Sequence, residues 1–235
     1  MSKPDAPGRA AVPVMSRFTE PEIEAVYRVI RERRDMRHFL PDPLPEGLLE
    51  RLVAAAHLAP SVGYMQPWRF IRITDRALRL HLHRLVMEEK ELTAKALPSR
   101  NEEFCKVKIE GMLDCAELLA VALLPGRERH IIGRRLLPEM DVASVGCAIQ
   151  NMWLAARAEG VGLGWVSFFD PKSVGEALAL PEGARAIALL CIGHVAAFYP
   201  RPMFEEAGWG KRLPLGDVLF ENRWPEQAEP TPTAY

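Results

Sequence analysis

"GVGLGWVSFFDPKSVGEALALPEGARAIALLCIGHV" (residues 160–195) holds two apolar runs separated by a short polar segment. "LGWVSFF" (163–169) and "ARAIALLCIGHV" (184–195) are brief and bounded by Gly, Pro and Asp, so both read as strands. Asp170-Pro171 offers a capping side chain with proline at the first helical position, predicting a short helix to about Leu180. Strand, helix, strand is the order of a parallel crossover, and near-continuous apolar strands suit burial on both faces. On pattern alone the stretch predicts an α/β domain with a doubly wound parallel sheet, its strand order open.

Working outward, Thr19-Glu20-Pro21-Glu22 has the T-x-x-E form of a capping box, with Phe18 before it. Ile23, Val26, Tyr27 and Ile30 follow at helical spacing, giving a helix to about Arg33. "PDPLPEG" separates it from a second helix whose Leu48, Leu49, Leu52, Val53 and Ala56 form one face. That helix should stop near "LAPS", because Pro60 disfavours helical geometry at Ala59. "WRFIRIT" (68–74) reads as a strand and residues 76–97 as a long helix. Residues 98–113 are polar and poorly amphipathic, suiting a cover segment more than a core one. "ELLAVALL" (117–124) reads as a buried strand, and a helix runs from about Pro138 to Glu159 with Gly160 in the left-handed cap position. The last 40 residues are rich in Pro and Gly yet carry many aromatics, an extended arm of the kind that packs on a second subunit.

Length and composition exclude several classes. The 235 residues carry 30 Lys plus Arg against 31 Asp plus Glu, so no basic excess points to nucleic acid. No apolar run reaches the roughly 18–20 residues that span a bilayer. Residues 1–17 lack a continuous apolar h-region and read as a loose tail rather than a signal peptide. Four cysteines without regular spacing make a disulfide framework unexpected, so a reducing cytoplasm is the expected location. "GVGLG" (160–164) follows a helix and precedes a strand, the reverse of a dinucleotide loop. "HLH" (81–83) places its histidines on different helix faces, and no metal site is proposed.

"RRDMRHF" (33–39) concentrates three arginines and one aspartate where a helix ends. Arg33, Arg34 and Arg37 carry forked, permanent charges that match phosphate oxygens in pairs. Arginines in a last helical turn also simply oppose the helix dipole, which is the competing explanation. "APSVGYMQPW" (59–68) is a polar loop between regular elements, suited to reading the heteroatoms of a planar ligand. "GWGKRLPL" (208–215) adds Lys211 and Arg212 as a second phosphate contact.

Together and in this order, "ERRDMRHF", "AAHLAPSVGYMQPWRF", "GLGWVSFFDP" and "GWGKRLPL" resemble the motifs of the BluB family of 5,6-dimethylbenzimidazole synthases, within the nitroreductase-like flavoproteins. The resemblance runs from about Phe18 to Trp224. It implies an α+β nitroreductase fold, with a mixed central sheet flanked by helices, in place of the parallel sheet. It also implies a single domain over 18–224 with a lid at about 85–113, a C-terminal arm at 196–224 and a tail at 225–235. The family's members are homodimers with flavin at the interface, the arm crossing to the partner.

By the same resemblance, Arg33, Arg34 and Arg37 hold the phosphate and ribityl end of FMN, with Arg212 assisting. Ser61, Met65, Gln66 and Pro67 lie along the ring, and Gly164, Trp165 and Ser167 close the opposite side. The implied activity takes reduced FMN as substrate and dioxygen as co-substrate, giving 5,6-dimethylbenzimidazole, the lower ligand of vitamin B12, and erythrose 4-phosphate. A separate flavin reductase would supply the reduced FMN. Asp35 is the implied proton acceptor, held ionised by its arginines, and Ser167 the implied hydroxyl near the reactive face. Two other readings share these residues: an NAD(P)H-dependent nitroreductase, flavin or corrinoid reductase, and a flavin-binding protein without chemistry.

Overall fold

The computed structural model describes residues 17–97 and 100–225. The N-terminal tail expected at 1–17 and the tail at 225–235 lie almost entirely outside the described residues. Seven helices are present among the described residues: α1 (Glu20–Glu32), α2 (Leu48–His57), α3 (Arg76–Lys95), α4 (Asn101–Lys106), α5 (Met140–Ala158), α6 (Pro171–Ala177) and α7 (Met203–Glu206). Four strands accompany them: β1 (Trp68–Arg72), β2 (Glu117–Leu123), β3 (Gly162–Val166) and β4 (Arg185–Gly193).

The strands form one sheet in the order β1-β2-β4-β3, and every strand pair is antiparallel. The parallel sheet expected from pattern is therefore corrected to the α+β arrangement. In the decisive stretch, Gly162 pairs with Gly193 and Val166 with Leu189, so β4 runs back alongside β3. The connecting helix α6 has seven residues, about 10 Å of rise, too little to carry the chain back along a sheet for a parallel re-entry. The sheet's parallel contact is an isolated bridge between Asp35 and Leu163.

Continuous apolar strands arise here because helices cover both faces of an antiparallel sheet. Leu119, Val121 and Leu123 of β2 face a core completed by Leu52 and Ala56 of α2 and Ile149 and Met152 of α5. Leu118 and Ala120 face the other way, into a core with Leu82 and Val86 of α3, Phe104 of α4 and Val174 of α6. Residues 98–113 thus supply core side chains, Phe104, Ile109 and Met112 all being buried. The expectation of a mere cover segment missed them because the segment is too short and irregular for a periodic signal.

Caps and stops follow the sequence. Glu22 accepts from the Thr19 amide at 2.8 Å and hydroxyl at 2.6 Å, and Gly160 takes φ 74° after α5. Asp170 caps α6, accepting from the Ser173 amide at 2.9 Å. No helix among the described residues is long and apolar enough to cross a membrane.

Candidate functional site

Helix α1 ends at Glu32, Arg33 turns extended (φ −59°, ψ 135°), and the chain then runs beside the edge strand β3. The Met36 amide donates to the Leu163 carbonyl at 3.0 Å. The glycines of "GVGLG" make this approach possible. A Cβ on Gly164 would stand 2.1 Å from the Met36 carbonyl oxygen, and one on Gly162 3.2 Å from Met36 Cγ. Gly164 is thus accounted for by a backbone-to-backbone contact that holds the arginine knot in place.

The three arginines divide the work unequally. Arg34 spends Nη1 on the carbonyls of Arg31 (2.7 Å) and Arg33 (2.8 Å), and Nη2 on Pro200 (2.8 Å), closing the end of α1. Arg37 is 5% exposed; its Nη2 donates to Asp35 Oδ2 and, at 3.0 Å, to the Trp165 carbonyl. Arg33 lies over the Trp153 ring at 4.5 Å and makes no ion pair among the described residues. Burial pushes its pKa down; Asp35 opposes this, and the like charges of Arg34 and Arg212 reinforce it. The C-terminal arm brings Arg212 into electrostatic range of Arg33. Glu32, the nearest other carboxylate on α1, is taken by Arg28 and Arg157.

Arg34 Nε, Arg37 Nε and Arg37 Nη1 are buried without a hydrogen-bond partner. Orphaned buried donors are costly, by about 1–3 kcal/mol each and more when charged. Two of the three belong to Arg37 and one to Arg34, in a segment that also carries the positive charge of Arg33, and donors of this kind have the chemistry to take an anionic group such as a phosphate monoester.

Asp35 is held at both oxygens. Oδ1 accepts from the Trp165 amide at 2.9 Å, and Oδ2 from Arg37. The side chain keeps 38% of its surface, yet the atoms packed around the carboxyl make burial the largest influence on it. Burial raises its pKa, and Arg37, the Trp165 amide and Arg33 pull it back without cancelling the rise. The expected depression by arginines is corrected: desolvation outweighs them. Ser167 is exposed two residues further on, without a hydrogen bond among the described residues, and lines a cavity of about 370 Å³ with Val142, Trp165 and Phe169. The Trp165 ring is half-buried, 6.3 Å from Trp153.

The Ser61–Pro67 loop enters β1 at the other edge of the sheet. Ser61 Oγ accepts from the Gln66 amide at 3.0 Å, tying the loop to itself. Gly63, Tyr64 and Gln66 adopt φ of 54°, 55° and 48°, a conformation that non-glycine residues keep only when the surroundings impose it. Met65 is buried, and Gln66 borders a cavity of about 330 Å³ with His57, Trp68 and Arg69. The knot runs one further strand position beyond β3, so four strand spacings, about 19 Å, separate this edge from it. One chain thus brings Arg33, Arg34, Asp35, Arg37, Gly164, Trp165 and Arg212 together, with Ser167 beside them, and leaves Ser61, Met65, Gln66 and Pro67 apart.

Sequence reasoning missed Tyr199, whose hydroxyl accepts from the Arg37 amide at 3.2 Å and contacts His38 Nδ1 at 2.6 Å. Its signal was an aromatic pair, Phe198-Tyr199, separated by four residues from the end of the last strand. Trp153 was also missed; its indole donates to the Arg34 carbonyl at 3.0 Å.

An antiparallel sheet covered on both faces, with an arginine knot beside its edge strand, defines a fold class. The sequence profile described as the nitroreductase family matches residues 30–194, and the chain belongs to that family. It is 40% identical over 188 residues to the 5,6-dimethylbenzimidazole synthase of Rhodospirillum rubrum, covering 77% of this chain and 87% of the relative. It is 37% identical over 201 residues to the 5,6-dimethylbenzimidazole synthase of Rhodobacter capsulatus, covering 84% and 96%. Among solved structures, a BluB-like flavoprotein from Clostridium difficile 630 matches with a TM-score of 0.64 at 17% identity, covering 83% of this chain and 97% of that one. The resemblance read from the motifs and the nitroreductase-like fold are both borne out.

Proposed function

We propose that the chain is a 5,6-dimethylbenzimidazole synthase, converting reduced FMN and dioxygen into 5,6-dimethylbenzimidazole and erythrose 4-phosphate. The observation that carries this is the 37–40% identity to synthases over most of their length. The unpartnered guanidinium donors of Arg34 and Arg37 supply the matching chemistry for the phosphate of FMN.

Reduced FMN is the substrate, and its electron-rich ring supplies the electrons that dioxygen takes. The protein's part is to hold, orient and shield. Arg33 and Arg37, with Arg212 from the arm, bind the phosphate, while Arg34 contributes Nε and otherwise fixes the end of α1. Asp35 lies where it can accept a proton near the ribityl–ring junction; its raised pKa suits a group that must first be deprotonated and then return the proton. Trp165 and Ser167 border the ring, Ser167 offering its exposed hydroxyl. The segment around α4, packed on α3 and on Trp209, closes over the site to keep out water.

A second copy of the chain completes the pocket with its own Ser61, Met65, Gln66 and Pro67, Gln66 reading the ring's polar edge. Two observations support a homodimer with flavin at the interface. The two half-sites lie on opposite sheet edges, and α1 leaves Val26, Tyr27 and Ile30 about half exposed on one face. A separate flavin reductase delivers reduced FMN.

Aerobic incubation of the protein with chemically reduced FMN, followed by mass spectrometry, tests the reading: 5,6-dimethylbenzimidazole is expected, and only oxidised FMN with hydrogen peroxide would overturn it. The reductase reading has the weaker support of a 28% identical "NADH dehydrogenase" of Thermus thermophilus. Rapid flavin bleaching on anaerobic mixing with NADPH would establish that instead.

A further inference from the structure

We propose that a buried ionic cluster on α5, Asp141 with Arg127 and Arg134, acts with Ser144 to position the Ser61–Pro67 loop and so sets flavin affinity without touching the flavin. The inference rests on the reading above, in which that loop borders the ring.

Asp141 lies in the first turn of α5 and is 4% exposed. Its Oδ2 accepts from Arg127 Nε at 2.9 Å and from Arg134 Nη2 at 3.1 Å, and its Oδ1 from the Val142 amide at 2.7 Å. Two largely buried guanidinium groups on one carboxylate clamp both ends of the 127–134 segment. Arg127 extends the clamp to the sheet, donating to the Leu124 carbonyl and, at 2.9 Å, to that of Gly183. The segment contains no strand, and its Ile131 and Ile132 side chains are exposed, so apolar burial does little to hold its shape. The ionic clamp takes that role.

The tip of this segment abuts the loop. A Cβ on Gly63 would lie 2.9 Å from the Ile132 carbonyl oxygen, and one on Gly133 would lie 3.0 Å from Val62 Cγ2. From the other side, Ser144 gives its proton to the Met140 carbonyl at 2.7 Å and accepts from the Val62 amide at 3.0 Å. Asp141 thus governs one jaw of a grip on the loop, and Ser144, three residues further along α5, forms the other. Of the gripped residues Gly63 is held at φ 54° and directly precedes Tyr64 at φ 55°, a conformation that relaxes in a non-glycine residue when its surroundings stop imposing it. An ion pair serving stability alone would have no reason to press on that loop.

The test titrates the full chain with oxidised FMN, following loss of flavin fluorescence, and compares wild type with Asp141→Asn, Ser144→Ala and Arg72→Gln. Arg72 pairs with Glu117 at 2.6 Å at the far end of β1 from the loop, a control for losing an ion pair. Asp141→Asn and Ser144→Ala should each weaken FMN roughly tenfold or more, equivalent to about 1.4 kcal/mol. The loss should appear in KM for reduced FMN rather than in turnover at saturation, while Arg72→Gln stays within about twofold of wild type at the same threshold. If Asp141→Asn fails to fold, Ser144→Ala carries the comparison. Wild-type affinity in both site variants, or equal loss in Arg72→Gln, would overturn the positioning role alone. A wild-type protein that does not bind FMN would overturn the functional reading and this inference with it.

Discussion

Replacing Gly164 by alanine probes the contact that holds the arginine knot against the sheet. The added Cβ would stand 2.1 Å from the Met36 carbonyl oxygen, about 1.2 Å short of the roughly 3.3 Å at which carbon and oxygen normally meet. Both partners are backbone, so no rotamer relieves the clash and residues 35–37 must move away from β3. A shift of that size breaks three bonds: Met36 N–H to Leu163 O (3.0 Å), Trp165 N–H to Asp35 (2.9 Å) and Arg37 to Trp165 O (3.0 Å). One is a neutral bond worth about 1 kcal/mol, and two involve charge at about 1.5–3 kcal/mol each, so the variant should lose about 4–7 kcal/mol. At about 2–4 °C per kcal/mol for a chain of this size, the melting temperature should fall by at least about 8 °C. FMN affinity should fall with it, because the arginines leave their places. Circular dichroism melts and flavin titration measure the two effects. Gly175→Ala is the control: it lies in α6 with nothing closer than 3.8 Å to the added carbon and should gain up to about 1 kcal/mol. If Gly164→Ala melts within about 3 °C of wild type, the contact does not hold the knot and the reasoning fails.

Asp35→Asn should flatten part of the pH dependence of stability. Because burial raises the folded-state pKa of Asp35, its contribution is fully present below the unfolded carboxyl pKa and is lost as pH rises through the folded value. Wild-type denaturant midpoints should thus fall across that interval more than those of the variant; parallel curves would show that Asp35 does not titrate there. Asp35→Asn and Ser167→Gly should retain FMN binding while losing 5,6-dimethylbenzimidazole, and unaltered turnover in either would remove that residue's chemical role. Arg212→Ala removes an exposed cation and should leave stability within about 0.5 kcal/mol. Its FMN affinity should drop roughly tenfold, more steeply at low salt, because a charge-assisted phosphate contact is worth about 1.5–3 kcal/mol; a salt-independent affinity equal to wild type would place the phosphate elsewhere.

The helices and strands were legible because each rests on local information: a cap at Thr19 or Asp170, a stop at Pro60 or Gly160, a period of 3.6 in α1 and α2. Sheet direction was not local. An antiparallel strand covered on both faces has the same apolar composition as a parallel one, and only the length of α6 distinguishes the two connections. At the site, residue types were legible but their division of labour was not. Arg33, Arg34 and Arg37 look equivalent in sequence; which of them closes a helix end is decided by where the Arg31, Arg33 and Pro200 carbonyls fall. The pKa of Asp35 was misjudged for a related reason, since neighbouring charges are written in the sequence and desolvation is not. Asp141 and Ser144 did leave a trace, two polar residues three apart in the otherwise apolar first half of α5, a pattern that costs stability unless both are partnered.

Helix α1 joins these points. Its capping box and its Glu32–Arg157 bridge order the two ends, yet none of its residues is buried by its own chain. A helix of 13 residues held by its caps alone is marginal in water, since nucleation is costly and tertiary contacts supply most helical stability. Its last turn delivers Arg33, Arg34 and Arg37 to the site, so any surface that covers Val26, Tyr27 and Ile30 also fixes the arginines. In the homodimer proposed above, association and phosphate binding then draw on the same ordering of α1, and each must strengthen the other.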